Sequence, residues 1–300
     1  MRDTLDHLPH FKQRELAHVI RVLFEEFEAV HARGNQKWTK QGRILKLVLY
    51  GSYARGDWID DPIGGYKSDY DILVVVSDER LTEFEFWSPT EDRLMRDATI
   101  TNTLTAPVSL IVHSLNDVNA QLERGRPFFV DIVKQGIALY DAEGFCFSSP
   151  RDLPAEEARA EAQNQFGTWY QSAAGFLDTA LYAVSQGRRN EAAFQMHQAA
   201  ERFYHCALLV LTLYSPKSHR LNFLRSQAEQ IAPALIAAWP RDDRFGRRCF
   251  ELLRQAYVNA RYSPHYEISD DELRWLGERV AVLQALVKEV CEARLAPDDR

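Results

Sequence analysis

The chain has 300 residues, 46% of them hydrophobic and 26% charged, with a formal net charge of −7. That length suits two ordinary cores better than one, and the acidic balance excludes a protein that coats nucleic acid through bulk charge. The excess sits in the first half, where residues 1–145 hold 17 Lys and Arg against 23 Asp and Glu. Any polyphosphate bound there needs divalent cations beside it. No window reaches the ~18 apolar residues of a membrane span, and no leader-like apolar stretch opens the chain. Cys146, Cys206, Cys249 and Cys291 form neither a Cys-x-x-Cys pair nor a zinc spacing. The expectation is a soluble, cytoplasmic protein with reduced thiols and no membrane partner.

In chain order, apolar positions at helical spacing (Leu16, Val19, Ile20, Val22, Leu23, Phe27, Val30) predict an amphipathic helix over 11–32, broken by Gly34 and Asn35. Residues 44–50 read as a buried strand, after which Gly51-Ser52 opens a short helix. The stretch 57–67, rich in Asp, Pro and Gly, reads as a loop, either a lid or a surface connection. A second strand running to Val76 begins with Asp69 and Asp71. Their spacing of two puts both carboxylates on one face, about 7 Å apart along the backbone. A helix over 90–103, a strand over 108–112, a helix over 114–124 capped by Ser114 or Asn116, and a helix over 128–135 ended by Gly136 follow. With the apolar run 137–140 they make a small mixed sheet covered by helices.

Gly144, Ser148, Ser149, Pro150 and Pro154 mark a boundary, giving domains of 1–145 and 158–300 joined by a linker, 146–157. Beyond it there is no strand pattern. Residues 156–186, 190–214, 219–238, 242–261 and 270–295 read as helices with short connections, the pattern of a bundle. The fold class is therefore α+β, a mixed-sheet domain followed by an all-α bundle. On the second of these helices His197, Glu201 and His205 recur every four residues, as a solvated stripe or as the lining of a cleft with Arg261 and His265. Arg241, Arg244, Arg247, Arg248, Arg254 and Arg261 either attract phosphate or are balanced by Asp242, Asp243 and Glu251.

Two carboxylates on one strand face make a hard-oxygen site for Mg²⁺. A Gly-Ser turn opening a helix directs N–H groups toward a phosphate. The run Gly51-Ser52-Tyr53-Ala54-Arg55-Gly56, followed by Ser68-Asp69-Tyr70-Asp71, resembles the DNA polymerase β-like nucleotidyltransferases, and among them the minimal nucleotidyltransferases related to the kanamycin nucleotidyltransferases. The resemblance implies a nucleotidyltransferase domain in which Asp69 and Asp71 are catalytic and bind Mg²⁺. Gly51 and Ser52 would hold the terminal phosphates of ATP or another nucleoside triphosphate. Arg55 would neutralise the departing pyrophosphate or else pair with Asp57, Ser68 would orient the strand start, and Lys67 would contact the triphosphate. The chemistry is attack of an alcohol on the α-phosphorus with loss of pyrophosphate, driven by positioning and charge neutralisation. The family adds a third carboxylate on an adjacent strand. Residues 108–113 carry no acid; Ser109 takes that place, His113 is the nearest metal-binding group, and Asp97, Asp117 or Asp131 are the other sources.

The run His197-Gln198-Ala199-Ala200-Glu201-Arg202-Phe203-Tyr204-His205-Cys206-Ala207-Leu208-Leu209, with Tyr257-Val258-Asn259-Ala260-Arg261-Tyr262-Ser263-Pro264-His265-Tyr266, resembles HEPN domains. These helical bundles are fused to, or paired with, minimal nucleotidyltransferases. Ribonuclease-type HEPN domains carry Arg, four to six residues, then His. Here three residues separate Arg261 from His265, and Pro264 keeps residue 263 out of helical geometry. The resemblance thus implies a domain that binds nucleotide or polyphosphate ahead of one that cleaves RNA. Together the two resemblances imply a fused nucleotidyltransferase–HEPN protein, of the kind found in toxin–antitoxin or defence pairs. It would be a homodimer that transfers AMP from ATP to a protein, RNA or small-molecule hydroxyl, with Tyr262 and Tyr266 as candidate self-acceptors. Three alternatives stand beside it: a nucleotide-binding regulator without transfer, a HEPN ribonuclease regulated by its nucleotidyltransferase domain, and an aminoglycoside nucleotidyltransferase whose Asp57, Asp60 and Asp61 meet the amines.

Overall fold

The computed structural model describes residues 1–33, 37–61, 66–241 and 243–296; the expected break at Gly34 and Asn35 lies outside the described residues, as does part of the 57–67 stretch. Two compact units emerge, Met1–Leu153 and Pro154–Arg300. The first runs further than residue 145, because Arg151 N donates to Leu122 O and Ser148 N to Asn119 Oδ1, laying the connecting segment on the first unit. No helix among the described residues is long and apolar enough to cross a membrane.

The first unit opens with α1 (His10–Arg33) and α2 (Lys37–Lys40), then β1 (Ile44–Tyr50) and the single turn α3 (Gly51–Arg55). A short hairpin follows, β2 (Asp60–Asp61) with β3 (Tyr66–Lys67), so the expected loop carries a paired ribbon. Next come β4 (Tyr70–Val76), α4 (Phe84–Thr99), β5 (Val108–Ser114), α5 (Leu115–Glu123), α6 (Pro127–Gln135) and β6 (Ile137–Asp141). The helix expected over 90–103 starts earlier, at Phe84, and contains Pro89. It stops at Thr99, where the chain turns through Asn102 at φ 52°.

The main sheet has the order β5-β4-β1-β6, with β1 antiparallel to β4 and β6, and β4 parallel to β5. β1 and β4 are buried at all seven positions, which is why their sequences read as continuous apolar runs. On one face, Leu47, Leu49, Ile72, Val74, Val76 and Leu110 pack against Leu16, Val19, Leu23 and Phe27 of α1 and Phe86, Trp87 and Leu94 of α4. The other face carries α5 and α6. Side chains alternate along a strand, so Asp71 and Ser109 face α5 and α6 while Tyr70 faces α1.

The second unit contains α7 (Ala155–Ser185), α8 (Arg189–Thr212), α9 (Leu221–Ile231), α10 (Arg244–Tyr262) and α11 (Asp270–Leu295). The helix expected over 219–238 is interrupted at Ala232, since Pro233 disfavours helical geometry in the residue before it; a 3₁₀ turn, Pro233–Ala238, completes the span. Ser269 and Glu272 form a capping box at the start of α11. α8 is the axis of the bundle and packs against the other four helices. Ala192, Ala193, Ala199, Ala200 and Ala207 let its neighbours approach closely, and Tyr204 is fully buried with its hydroxyl 2.7 Å from Trp239 Nε1.

Candidate functional site

Tyr50 ends β1 directly opposite Asp71, and the next residue, Gly51, turns the chain at φ 71°. An ideal Cβ on Gly51 would lie 2.5 Å from Asp71 Oδ2, so only glycine lets the turn close onto that carboxylate. Asp71 is completely buried and sits opposite Ser109 in the parallel register. Ser109 Oγ donates to Asp69 Oδ2 at 2.8 Å. One hydroxyl thus ties Asp69, just before β4, to the face that holds Asp71. Ser52, next to Gly51, is buried, and its Oγ has no hydrogen-bond partner among the described residues.

These residues fit a magnesium–polyphosphate site. Two carboxylates share a face, a glycine makes room for close approach, and a buried hydroxyl beside them awaits a partner. The acidic set stops there, since no group of three or more His, Cys, Asp or Glu side chains suited to a metal occurs among the described residues. His113 is four residues further along β5 than Ser109, opposite Val75, roughly 13 Å away. Its Nδ1 lies 2.6 Å from Asp117 Oδ2, which places both of these residues away from the pair. Asp97 bonds His18 on the α1 side of the sheet, at 2.8 Å. Asp131 is exposed on α6, within electrostatic reach of Arg55.

The other expected site residues are engaged within the protein. Arg55 Nε donates to Asp57 Oδ2 at 3.1 Å on the surface, the pairing weighed against a pyrophosphate contact. Ser68 Oγ accepts from Ile59 N at 2.9 Å, and Ser68 N donates to Ile59 O, so this residue fixes the chain just before β4, in keeping with its expected role at the strand start. Lys67 pairs with Asp60 across the hairpin at 3.6 Å and donates to Thr105 O at 3.3 Å. A triphosphate would have to compete for both cations.

Sequence reasoning passed over a buried polar cluster behind the sheet. Lys12 and Glu15 of α1 are 2% and 7% exposed. Lys12 Nζ reaches Tyr53 Oη at 3.0 Å and Thr105 Oγ1 at 2.7 Å, and Glu15 accepts from Tyr70 Oη at 2.6 Å. Burial lowers the Lys12 pKa from its ordinary value, against the pull of Glu15 and Asp60, and it raises both tyrosine hydroxyls. The signal was available: positions 12, 15, 16, 19, 22 and 23 follow the same helical stripe.

In the second unit His197, Glu201 and His205 are 1%, 5% and 7% exposed, so they are not a solvated stripe. Glu201 Oε1 lies 3.0 Å from Nδ1 of His219, and its Oε2 lies 3.7 Å from Nδ1 of His197. Tyr257 sits between the two imidazoles, with ring centroids 5.3 Å from His197 and 5.1 Å from His219. The Arg261 guanidinium covers Tyr257 at 4.7 Å and Phe194 at 4.8 Å, while its Nε donates to Tyr257 O. Burial first, then the charges of His219 and Arg261, pushes the His197 pKa down to about 4; burial raises that of Glu201. His205 bonds Ser215 Oγ at 2.6 Å, packs on Trp169, and is likewise pushed down to about 4 by burial. His197, Glu201 and Arg261 are thus brought together, joined by His219 and Tyr257. His265 is not: it lies exposed in the turn beyond α10. Three of the six arginines in the run pair with carboxylates, Arg241 with Glu229, Arg248 with Glu272 and Arg254 with Glu251; of the other expected partners, Asp243 caps α10 and Asp242 lies outside the described residues.

Against known families, residues 166–290 match the HEPN domain, a span running from within α7 into α11. The chain is therefore an α+β protein in which a four-stranded mixed-sheet unit precedes a HEPN domain. No curated protein matches the chain.

Proposed function

We propose that the first unit is a Mg²⁺-dependent nucleotidyltransferase that takes a nucleoside triphosphate, ATP foremost, and transfers the nucleoside monophosphate to a hydroxyl of a protein, RNA or small-molecule acceptor. The carrying observation is the close approach of Gly51 to Asp71, which supports a Gly-Ser turn working beside that carboxylate. Asp69 and Asp71 would hold the metal, and Mg²⁺, when bound, supplies charge neutralisation at the phosphate oxygens. Ser52 Oγ would donate to a terminal phosphate oxygen, satisfying a hydroxyl that has no partner among the described residues. Ser109, which pairs with Asp71 in the strand register, would hold Asp69 through its 2.8 Å bond.

The HEPN match supports a second reading, in which the helical unit acts on RNA. Arg261 and His265 lie on different local structures, the last turn of α10 and the turn after it, which speaks for binding ahead of cleavage. One experiment separates these readings. The full chain is incubated with Mg²⁺ and α-labelled ATP, alone and with RNA or an aminoglycoside. Label should pass to the chain or to an added acceptor, and it should be lost in Asp69→Asn and in Asp71→Asn with the thermal transition retained. Transfer that survives in either variant overturns the site. Nucleotide binding with no label on any acceptor replaces transfer by regulation, and RNA cleavage abolished by His265→Ala favours the ribonuclease.

A further inference from the structure

We propose that Lys12 and Glu15, through Tyr53, Tyr70 and Thr105, form a positioning network that sets the carboxylate pair and the Gly-Ser turn from the opposite face of the sheet; this rests on reading Asp69 and Asp71 as a metal site. Glu15 accepts three hydrogen bonds, from Tyr70 Oη at 2.6 Å, Thr105 N at 3.1 Å and Thr105 Oγ1 at 3.1 Å. Lys12 lies 3.8 Å from Glu15 and donates to Tyr53 Oη and Thr105 Oγ1. Each partner belongs to a different wall of the site. Tyr53 follows Ser52 in α3, and Tyr70 is the residue between the two aspartates. Thr105 leads into β5, which carries Ser109, and its carbonyl accepts from Lys67 of the hairpin.

A buried ion pair is weak support for stability, because well-packed apolar residues often replace one without loss. What this one supplies is geometry. Tyr70 cannot shift along its strand without stretching the bond to Glu15, and its neighbours Asp69 and Asp71 move with it. The Lys12 ammonium fixes Tyr53, and with it the turn at Ser52. Three segments distant in sequence are thereby held to one helix. Groups bonded directly to metal ligands commonly change metal affinity by about 10- to 100-fold when removed; this network acts on the aspartates through the backbone, so its effect should lie at the lower end of that range.

The test uses the full chain and Mn²⁺ alone as probe, titrated by electron paramagnetic resonance, with wild type beside Tyr70→Phe, Glu15→Gln and Asp71→Asn. Tyr70→Phe keeps the ring and removes one hydroxyl, so it decides the matter if Glu15→Gln fails to fold. The expected result is loss of tight Mn²⁺ binding in Asp71→Asn, with about 10-fold weaker binding and an altered bound-Mn²⁺ spectrum in Tyr70→Phe and Glu15→Gln. A merely structural role would shift the unfolding temperature and leave that spectrum unchanged. If Asp71→Asn loses binding while Tyr70→Phe retains wild-type affinity and spectrum, the network proposal is overturned and the site stands. If wild type binds no Mn²⁺, or Asp71→Asn binds it equally well, the site reading fails first and takes the network with it.

Discussion

Gly51→Ala and Gly56→Ala make an informative pair. Both glycines adopt left-handed backbone, at φ 71° and 94°, where an alanine is disfavoured by about 1–2 kcal/mol. Against that, alanine stabilises by about 0.4–1 kcal/mol through the unfolded chain. Gly56→Ala should therefore destabilise by about 1 kcal/mol, since its nearest neighbour, His7 Cδ2, would sit at an ordinary 3.5 Å. Gly51→Ala adds an approach of 2.5 Å to a carboxylate with no solvent to retreat into. Overpacking of that kind adds about 1–3 kcal/mol, for a total of about 2–4 kcal/mol. The displaced group is Asp71 itself, so Mn²⁺ affinity should fall along with stability in Gly51→Ala and stay at the wild-type value in Gly56→Ala. Urea unfolding and Mn²⁺ titration of both variants measure the two quantities. Adding Asp71→Ala to Gly51→Ala should recover part of the lost stability, a non-additivity expected of residues in contact. Equal stability and undiminished Mn²⁺ affinity in the two glycine variants would refute the claim that the turn closes on the carboxylate.

Further outcomes follow from the helical unit. His205 is held near pKa 4 in the fold against 6.5 when free. The unfolded chain thus binds the extra proton first, and stability is lost as pH falls from about 6.5 toward 4, by about 3 kcal/mol from this residue. Thermal unfolding followed across that window should show a shallower decline in His205→Gln; an unchanged slope would contradict the assigned burial effect. Trp239→Phe removes the indole N–H that donates to the buried Tyr204 hydroxyl at 2.7 Å and should destabilise the bundle by about 1–3 kcal/mol in urea unfolding. A loss under 0.5 kcal/mol would mean that Tyr204 finds another partner.

Much of the fold could be read from the chain because its signals are local. β1 and β4 are buried on both faces, so their apolar runs needed no partner to be recognised. The helix read over 270–295 matches α11, Asp270–Leu295. α4 was less legible: the helix expected from residue 90 starts at Phe84, where Phe86 and Trp87 are buried and Trp87 Nε1 donates to Leu81 O at 2.6 Å. The aspartate pair and its glycine turn were visible as motifs. Of their supporting groups, the helical stripe marks Lys12 and Glu15 as inward-facing, but their partners Tyr70 and Thr105 come from far along the chain and are not legible beside them. His219 and Tyr257 escaped notice beside Glu201 for the same reason, coming from a loop and from a different helix.

The parallel pairing of β4 with β5 has a consequence for how the protein matures. Parallel neighbours need a crossover, and here α4 supplies it between Val76 and Val108. Asp71 and Gly51 can come together as soon as β1 pairs with β4, but Ser109 and Thr105 are delivered only after that whole excursion has docked. Closing so long a loop is entropically slow, so a nascent or truncated chain ending before residue 105 would hold both aspartates yet lack the partners that orient them.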